Sequence, residues 1–134
     1  MFAWFRKTLK RKEHGFTLIE LVVVLAILGI LIALAVPRYL AARKKAYKAE
    51  ADNILQETKT LEWAYYQQYN TFDSAGTQLG LAMPSGAHWN TPGITGGATL
   101  VTITMSGLVS PLAATDSVFI TLSSDGSSGG GSTF

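Results

Sequence analysis

Residues 16–36 form an apolar run that only Thr17 and Glu20 interrupt. As an α-helix, a run of this length would extend about 30 Å, which matches the hydrocarbon thickness of a bilayer. Residues 1–15 carry five basic side chains against Glu13 alone, a bias that favours a cytoplasmic N-terminus. The sequence therefore predicts one membrane-spanning helix, with the rest of the chain outside, in the periplasm or its equivalent.

A secretory signal peptide is the alternative interpretation of the same run. Ala33-Leu34-Ala35 resembles the small-x-small site at which signal peptides are cut. The length of the run and the carboxylate of Glu20 near its start argue against this alternative.

The sequence divides into four segments. A basic leader covers residues 1–15, the apolar run covers 16–36, a charged and aromatic segment covers 37–70, and a segment punctuated by glycine and proline covers 71–134. From residue 16 onward there are six basic and eight acidic residues, a net charge of −2. The overall charge of +2 therefore reflects the leader and does not indicate a nucleic-acid-binding surface.

Residues 37–70 show the spacing of an amphipathic helix that continues past Pro37. A stripe recurs at alternating steps of four and three residues, and Leu55 and Tyr69 widen it. The stripe consists of Tyr47, Ala51, Ile54, Thr58, Leu61 and Tyr65, and four of these, Tyr47, Ile54, Leu61 and Tyr65, are predicted core or subunit-interface residues. The charged residues off the stripe are Lys48, Asp52, Lys59 and Glu62. Asn70 and the residues after it predict the end of the helix.

Residues 98–105 and 117–122 alternate in the manner of β-strands. The predicted inward side chains are Val101, Ile103 and Met105 in the first strand and Val118, Ile120 and Leu122 in the second. Residues 71–97 predict a long connection, and residues 123–132 predict a flexible tail unless Phe134 docks it. The predicted fold class is α+β, a long N-terminal α-helix whose second half packs on a small antiparallel β-sheet head.

Glu20 is a carboxylate in an apolar run that offers it no basic partner. Such a group costs roughly 2.5–3.5 kcal/mol on insertion scales, so it is a candidate functional residue. If the chain were cut after Gly15, Phe16 would gain a free α-amine that could pair with Glu20 of a neighbouring copy, where low dielectric penalises an unpaired charge. The alternative is a glutamate near the interface that reaches the lipid headgroups.

The segment Gly15-Phe16-Thr17-Leu18-Ile19-Glu20, after a short basic leader and at the start of an apolar run, resembles the class III signal of type IV prepilins and of type II secretion pseudopilins. The resemblance covers about residues 6–60. Within this range, Gly29 and Pro37 fall where family members often carry a glycine and a proline. The C-terminal half of the chain matches no such pattern.

The resemblance implies a role for each of these positions. Gly15 would be the residue after which a membrane prepilin peptidase cuts, and Phe16 the new N-terminus, N-methylated by the same enzyme. Glu20 would be the assembly residue. Residues 16–36 would anchor the stored subunit in the membrane and then form the filament core.

The stretch from Gly29 to Pro37 would be the part of the helix that unwinds in the assembled fibre. Proline removes a backbone donor and glycine is a poor helix former, so this stretch is a weak point of the helix. The alternatives are an ordinary kink at Pro37 and a packing contact at Gly29.

Two departures from the family pattern stand out. Many Gram-negative type IV pilins close a C-terminal loop with a disulfide, but this chain has no cysteine. Type II major pseudopilins often bind calcium through C-terminal acids, whereas Asp116 and Asp125 are the only acids in that region here. Asp125-Gly126 is interpreted as a plain turn, and we predict no metal site, no cofactor and no catalytic residue.

The sequence thus predicts a non-enzymatic subunit of a type IV pilus, a fimbrium that mediates adhesion, twitching motility or DNA uptake. The subunit would be stored in the inner membrane and assembled into an extracellular helical homo-oligomer. Its partners would be the prepilin peptidase and the inner-membrane assembly machinery, with nucleic acid bound only through the assembled fibre. The alternatives are a type II secretion pseudopilin and a single-pass membrane-anchored domain.

Overall fold

The computed structural model describes residues 15–134, so the predicted leader lies outside the described residues except for Gly15. Within this range one α-helix precedes four β-strands. The elements are α1 (Leu18–Tyr69), β1 (Gly93–Gly96), β2 (Leu100–Ser106), β3 (Ser117–Ser123) and β4 (Ser128–Ser132). The structure is α+β, which confirms the predicted fold class.

The chain divides into two compact units, the first ending at Tyr39 and the second running Leu40–Phe134. Helix α1 contributes its N-terminal part to the first unit and the rest to the second. The second unit, which we call the head, contains the sheet and every buried residue among those described. The helix ends as predicted, because Asn70 adopts a positive φ of 59° after Tyr69.

The sheet is an antiparallel meander in the order β1-β2-β3-β4. Strands β2 and β3 pair so that Ile103 lies opposite Ile120, which places the inward side chains of both strands on the same face. The residues on this face, Val101, Ile103, Met105, Val118, Ile120 and Leu122, are all buried. The predicted alternation of inward and outward side chains therefore matches the observed alternation of buried and more exposed residues along β2 and β3.

Helix α1 covers this face of the sheet with one side of its C-terminal part. Its buried residues are Ala51, Ile54, Leu55, Thr58 and Glu62. Ile54 and Leu55 join the main core with Ile103, Met105 and Ile120, whereas Trp63 and Tyr66 pack against a smaller cluster farther along the helix. The smaller cluster consists of Phe72, Val101 and Leu122.

The burial of Glu62 corrects the stripe predicted from the sequence, from which this residue was excluded. Glu62 is 0% exposed, whereas Leu61 and Tyr65 are only half-buried. The reason is the line of contact with the sheet, which follows Ala51, Leu55, Thr58 and Glu62 at steps of three and four along the helix.

Strands β1 and β4 are the elements that the sequence did not predict. Strand β1 belongs to the predicted long connection, and β4 lies in the predicted tail, where the Ser-Gly-Gly-Gly-Ser stretch pairs with β3 from Val118 to Leu122. The ring of Phe134 stacks on Trp89 at a centroid distance of 6.2 Å, so the end of the described chain is docked on the head.

The connection between α1 and β1 is fastened to the helix by two adjacent side chains. The indole Nε1–H of Trp89 donates to the carbonyl of Tyr47 at 2.7 Å. His88 stacks on the ring of Tyr47 at 3.9 Å, and both its backbone N–H and its Nδ1 contact the carboxylate of Glu50. Trp89 is almost fully buried, so this pair anchors the connection.

We expect Gly107→Ala to destabilise the head, because a Cβ atom at this buried position would lie 2.6 Å from the carbonyl oxygen of Ala113 and 2.7 Å from the Cβ of Leu112. The expected loss is about 1–3 kcal/mol, as for overpacking in other cores. Thermal unfolding of the full chain in detergent micelles, followed by near-UV circular dichroism, measures it. Gly97→Ala is the control, since its Cβ would meet no atom within 4 Å. Equal midpoints for the two variants would contradict the packing described at Gly107.

Candidate functional site

The start of helix α1 carries the residues that the sequence singled out. Gly15, Phe16 and Thr17 precede the first helical residue, Leu18, and are exposed. The side chain of Phe16 is 87% exposed. A chain that is exposed and non-helical on both sides of the Gly15–Phe16 peptide bond is accessible to a peptidase.

Thr17 and Glu20 form a capping box at the start of the helix. The hydroxyl of Thr17 accepts the backbone N–H of Glu20 at 3.3 Å. In return, Oε2 of Glu20 accepts the backbone N–H and the hydroxyl of Thr17, both at 2.8 Å. Reciprocal bonds of this kind satisfy backbone donors that the first turn of a helix leaves open.

The role of Thr17 was not predicted from the sequence, in which the apolar run offers Glu20 no basic partner. The structure gives Glu20 a partner three residues earlier, through Oε2. The signal was visible, since Thr-x-x-Glu before an apolar run is a known start of a helix. Within the described residues, Oε1 of Glu20 accepts no hydrogen bond.

Phe16, just before helix α1, and Glu20, in its first turn, lie close together. They line a shallow cleft of about 300 Å³ with Ile19, Val23 and Val24. The structure thus brings the predicted new N-terminus and the predicted assembly residue together beside an apolar recess.

The apolar side chains that follow are all exposed. In the described residues, α1 is the one helix long and apolar enough to cross a membrane, and none of its apolar window is buried. Fifteen large apolar side chains between Phe16 and Val36 are exposed to solvent in the single chain. Burying one such side chain contributes about 1.5–3 kcal/mol. The summed free energy of burying all of them would exceed the net stability of a typical domain, which is about 5–15 kcal/mol. This surface requires a lipid environment or neighbouring apolar surfaces.

Gly29 and Pro37, the predicted weak points, both lie inside α1, which is unbroken in the single chain. A Cβ atom at Gly29 would meet nothing within 4 Å, so no contact within the chain requires glycine there. Pro37 has no N–H to donate, which leaves the carbonyl of Ala33 without its helical partner.

The four residues predicted as core or subunit interface occupy different environments in the head. Ile54 is buried in the main core, and Tyr47 packs against that core while half-buried. Leu61 and Tyr65 are half-buried, and the ring of Tyr65 lies 4.5 Å from that of Tyr69.

Of the basic residues that directly follow the apolar run, Arg38, Arg43 and Lys45 are exposed, whereas Lys44 is partly buried. The Nζ of Lys44 lies 2.7 Å from Oδ2 of Asp116 and 5.7 Å from the ring centroid of Phe134. The hydrogen bond from Lys44, with one from the backbone N–H of Ala113, holds the pKa of Asp116 below its ordinary value. Arg43 lies 5.4 Å from the ring centroid of Tyr47.

The two C-terminal acids are thus engaged within the chain. Asp125 accepts the hydroxyl and the backbone N–H of Ser127, which together hold the pKa of Asp125 below its ordinary value. Gly126 follows with a φ of 85°, as a tight turn requires. Residues 15–134 contain no group of three or more histidine, aspartate or glutamate side chains placed to hold a metal ion.

Comparisons with known proteins agree with this arrangement. A family model described as the prokaryotic N-terminal methylation motif matches residues 10–36. The chain is 31% identical over 75 residues to the type IV major pilin protein PilA of Myxococcus xanthus, a match covering 56% of this chain and 34% of the relative.

Two further relatives share the same part of the chain to a similar degree. The type IV major pilin protein PilE1 of Neisseria gonorrhoeae is 38% identical over 72 residues, which are 54% of this chain and 44% of the relative. The type IV wide pilus major component PilA4 of Thermus thermophilus is 39% identical over 64 residues, which are 48% of this chain and 49% of the relative. The match thus spans between a third and a half of the length of these relatives.

We expect Thr17→Ala to loosen the first turn of α1, because the hydroxyl that accepts the N–H of Glu20 is lost. Loss of such a cap costs about 1 kcal/mol, so the amide of Glu20 should exchange its hydrogen roughly five times faster. Amide exchange measured by NMR on the full chain in detergent micelles tests this. Thr17→Ser keeps the hydroxyl and should exchange as the parent does. Equal rates in the alanine and serine variants would show that the cap is not formed.

Proposed function

We propose that this chain, whose N-terminal part is that of a type IV pilin with a class III signal, is a structural subunit of a type IV pilus. The observation that carries the proposal is the exposed apolar part of α1, which begins directly after the Gly15–Phe16 bond and the Thr17–Glu20 capping box. Such a segment suits a subunit that moves from a bilayer into a bundle of identical helices.

The stored subunit resides in the cytoplasmic membrane. Residues 18–36 extend about 28 Å as a helix, close to the hydrocarbon thickness of about 30 Å. The basic leader stays in the cytoplasm and the head lies on the other side. Both the bilayer and the filament keep the same side chains from water, so the apolar segment remains shielded after the transfer between them.

A prepilin peptidase cuts after Gly15 and methylates the new N-terminus at Phe16. The exposed, non-helical residues 15–17 support this step, because an extended segment fits a protease site. The chain itself carries no catalysis in this scheme, and its relatives are major pilins, which are structural proteins.

Glu20 sets the assembly of the filament. Its Oε2 is occupied by Thr17, but Oε1 accepts no bond within the described residues and remains able to accept one from a neighbour. The α-amine of Phe16 in an adjacent subunit is the donor that cleavage creates. In the low dielectric between packed helices this ion pair fixes the axial register, since a mispaired carboxylate there is costly.

Gly29 and Pro37 delimit the stretch of α1 that loosens in the fibre. The carbonyl of Ala33 already lacks its helical partner, and glycine adds backbone freedom at the other end. The inner-membrane assembly machinery supplies the work of extraction. The resulting extracellular homo-oligomer serves adhesion, twitching motility or DNA uptake, and nucleic acid meets the protein only as the fibre.

Mass spectrometry of fibres sheared from the cell surface tests processing, export and polymerisation together. We expect an N-terminal peptide that begins at Phe16 and carries one methyl group. If the same peptide occurs only in the cell envelope, the protein is a pseudopilin of a type II secretion system or a minor component. An N-terminus at Met1 or near Val36 would refute the proposal and leave a membrane-anchored or secreted domain.

We expect Glu20→Gln to abolish sheared fibres while the subunit remains in the membrane. Glutamine serves in a capping box as glutamate does, so this variant removes the charge but preserves the start of the helix. Glu57→Gln, which alters an exposed glutamate on the same helix, is the matched control and should yield normal fibres. Quantification of the subunit in the sheared and membrane fractions measures the effect. Normal fibres from Glu20→Gln would show that the charge is not needed for assembly.

A further inference from the structure

Glu62 is a fully buried carboxyl group near the C-terminal end of α1. Its Oε2 accepts the backbone N–H of Asp73 at 3.1 Å. Its Oε1 is shielded from solvent and has no hydrogen-bond partner among the described residues. A buried carboxylate oxygen without a partner is costly, and adding a proton removes most of that cost.

The apolar side chains around Glu62 offer no compensating charge. Trp63 and Tyr66, on the same stretch of helix, pack against Phe72, Val101 and Leu122, and Ile94 of β1 joins this cluster. On the helix itself, the ionisable neighbours one turn away are Lys59, Tyr65 and Tyr66. Lys59 is partly exposed and lines a separate surface cleft with Trp63. None of the four strands carries an ionisable side chain, so the sheet offers Glu62 no opposing charge.

The one charged group that acts on Glu62 from the following loop is the carboxylate of Asp73, which is 7% exposed. Its two oxygens accept the backbone N–H groups of Ala75 and Gln78, at 3.2 and 2.7 Å. These bonds organise the loop, and repulsion from the carboxylate of Asp73 disfavours a negative charge on Glu62.

We propose that Glu62 is a proton-operated latch that holds the loop of residues 70–79 against the helix when protonated and releases it when ionised. The latch contacts the loop at the N–H of Asp73, next to the buried ring of Phe72. Farther along, Gly76 lies against the side chain of Ile94, and Leu79 is buried. Opening of the loop therefore uncovers the side chain of Ile94 in β1.

The direction of the response follows from the burial of Glu62. Desolvation is the main cause that raises the pKa of Glu62 to about 7. The hydrogen bond from the N–H of Asp73 lowers this pKa, whereas repulsion from the Asp73 carboxylate raises it. The closed loop binds the proton more tightly than the open one, so closure is most stable below the ordinary pKa of 4.5 and weakens as pH rises to about 7. The latch is a property of the head and holds whether or not the chain forms a filament.

Hydrogen exchange of the full chain in detergent micelles tests the latch. Protection factors, corrected for the intrinsic pH dependence of exchange, are compared for peptides covering residues 71–79 and residues 118–122. Between about pH 5.5 and about pH 8.5, protection of the loop should fall roughly 30-fold, and that of β3 should fall much less. An unchanged loop would overturn the proposal.

Two variants separate the latch from general destabilisation. Glu62→Gln cannot ionise, so protection of residues 71–79 should become independent of pH, whereas Glu57→Gln should respond as the parent does. A parental pH response in Glu62→Gln would overturn the proposal. If Glu62→Gln does not fold, the Glu62 carboxyl of the parent chain is titrated by carbon-13 NMR. A midpoint near 7 that coincides with the loss of loop protection supports the latch, and a midpoint near 4.5 overturns it.

Discussion

The exposed apolar surface of residues 16–36 has to be covered by something other than water, and the rest of the molecule is arranged around that requirement. Within the described residues nothing covers this surface, because the head buries only helix residues from Ala51 onward. Lipid would cover it, and so would other copies of the same helix.

The two halves of α1 differ in how their apolar side chains are distributed around the helix. The first half is apolar on all sides, as is typical of membrane spans, whereas the second presents one buried line of residues to the sheet. The head has no cysteine and is held by packing, by the anchors at His88 and Trp89, and by the Lys44–Asp116 ion pair. Ion pairs that keep part of their contact with solvent contribute little, so the apolar core is the main source of stability.

Much of the fold could be predicted from the sequence because its strongest patterns report burial directly. The predicted inward side chains of β2 and β3 are the buried ones, since one face of this antiparallel pair packs on the core and is apolar. Strands β1 and β4 could not be predicted, because Gly93-Ile-Thr-Gly96 and Ser128-Gly-Gly-Gly-Ser132 carry no alternation, and only pairing to β2 and β3 makes them strands. The prediction that Glu62 lies off the buried stripe was wrong, because a charged side chain is assigned to solvent unless the position of the sheet is known.

At the candidate site, the apolar run and the Gly15-Phe16…Glu20 signal were visible in the sequence, whereas the bonds between Thr17 and Glu20 required a structure. Helix α1 is continuous through Gly29 and Pro37 in the single chain. Loosening of this stretch in a fibre stays a prediction, because one chain contains none of the neighbours that a fibre would add.

The meander order of the sheet also determines how the head can be made. Each strand pairs with the next one along the chain, and the segments that join β1 to β2 and β3 to β4 are only a few residues long. Pairing between strands that are neighbours in sequence costs little loop-closure entropy and is therefore fast. If the N-terminal helix is held in a bilayer, as proposed above, the strands can therefore pair in the order in which they are exported. Cotranslocational folding of this kind would leave few unpaired edges exposed to aggregation while the head is incomplete.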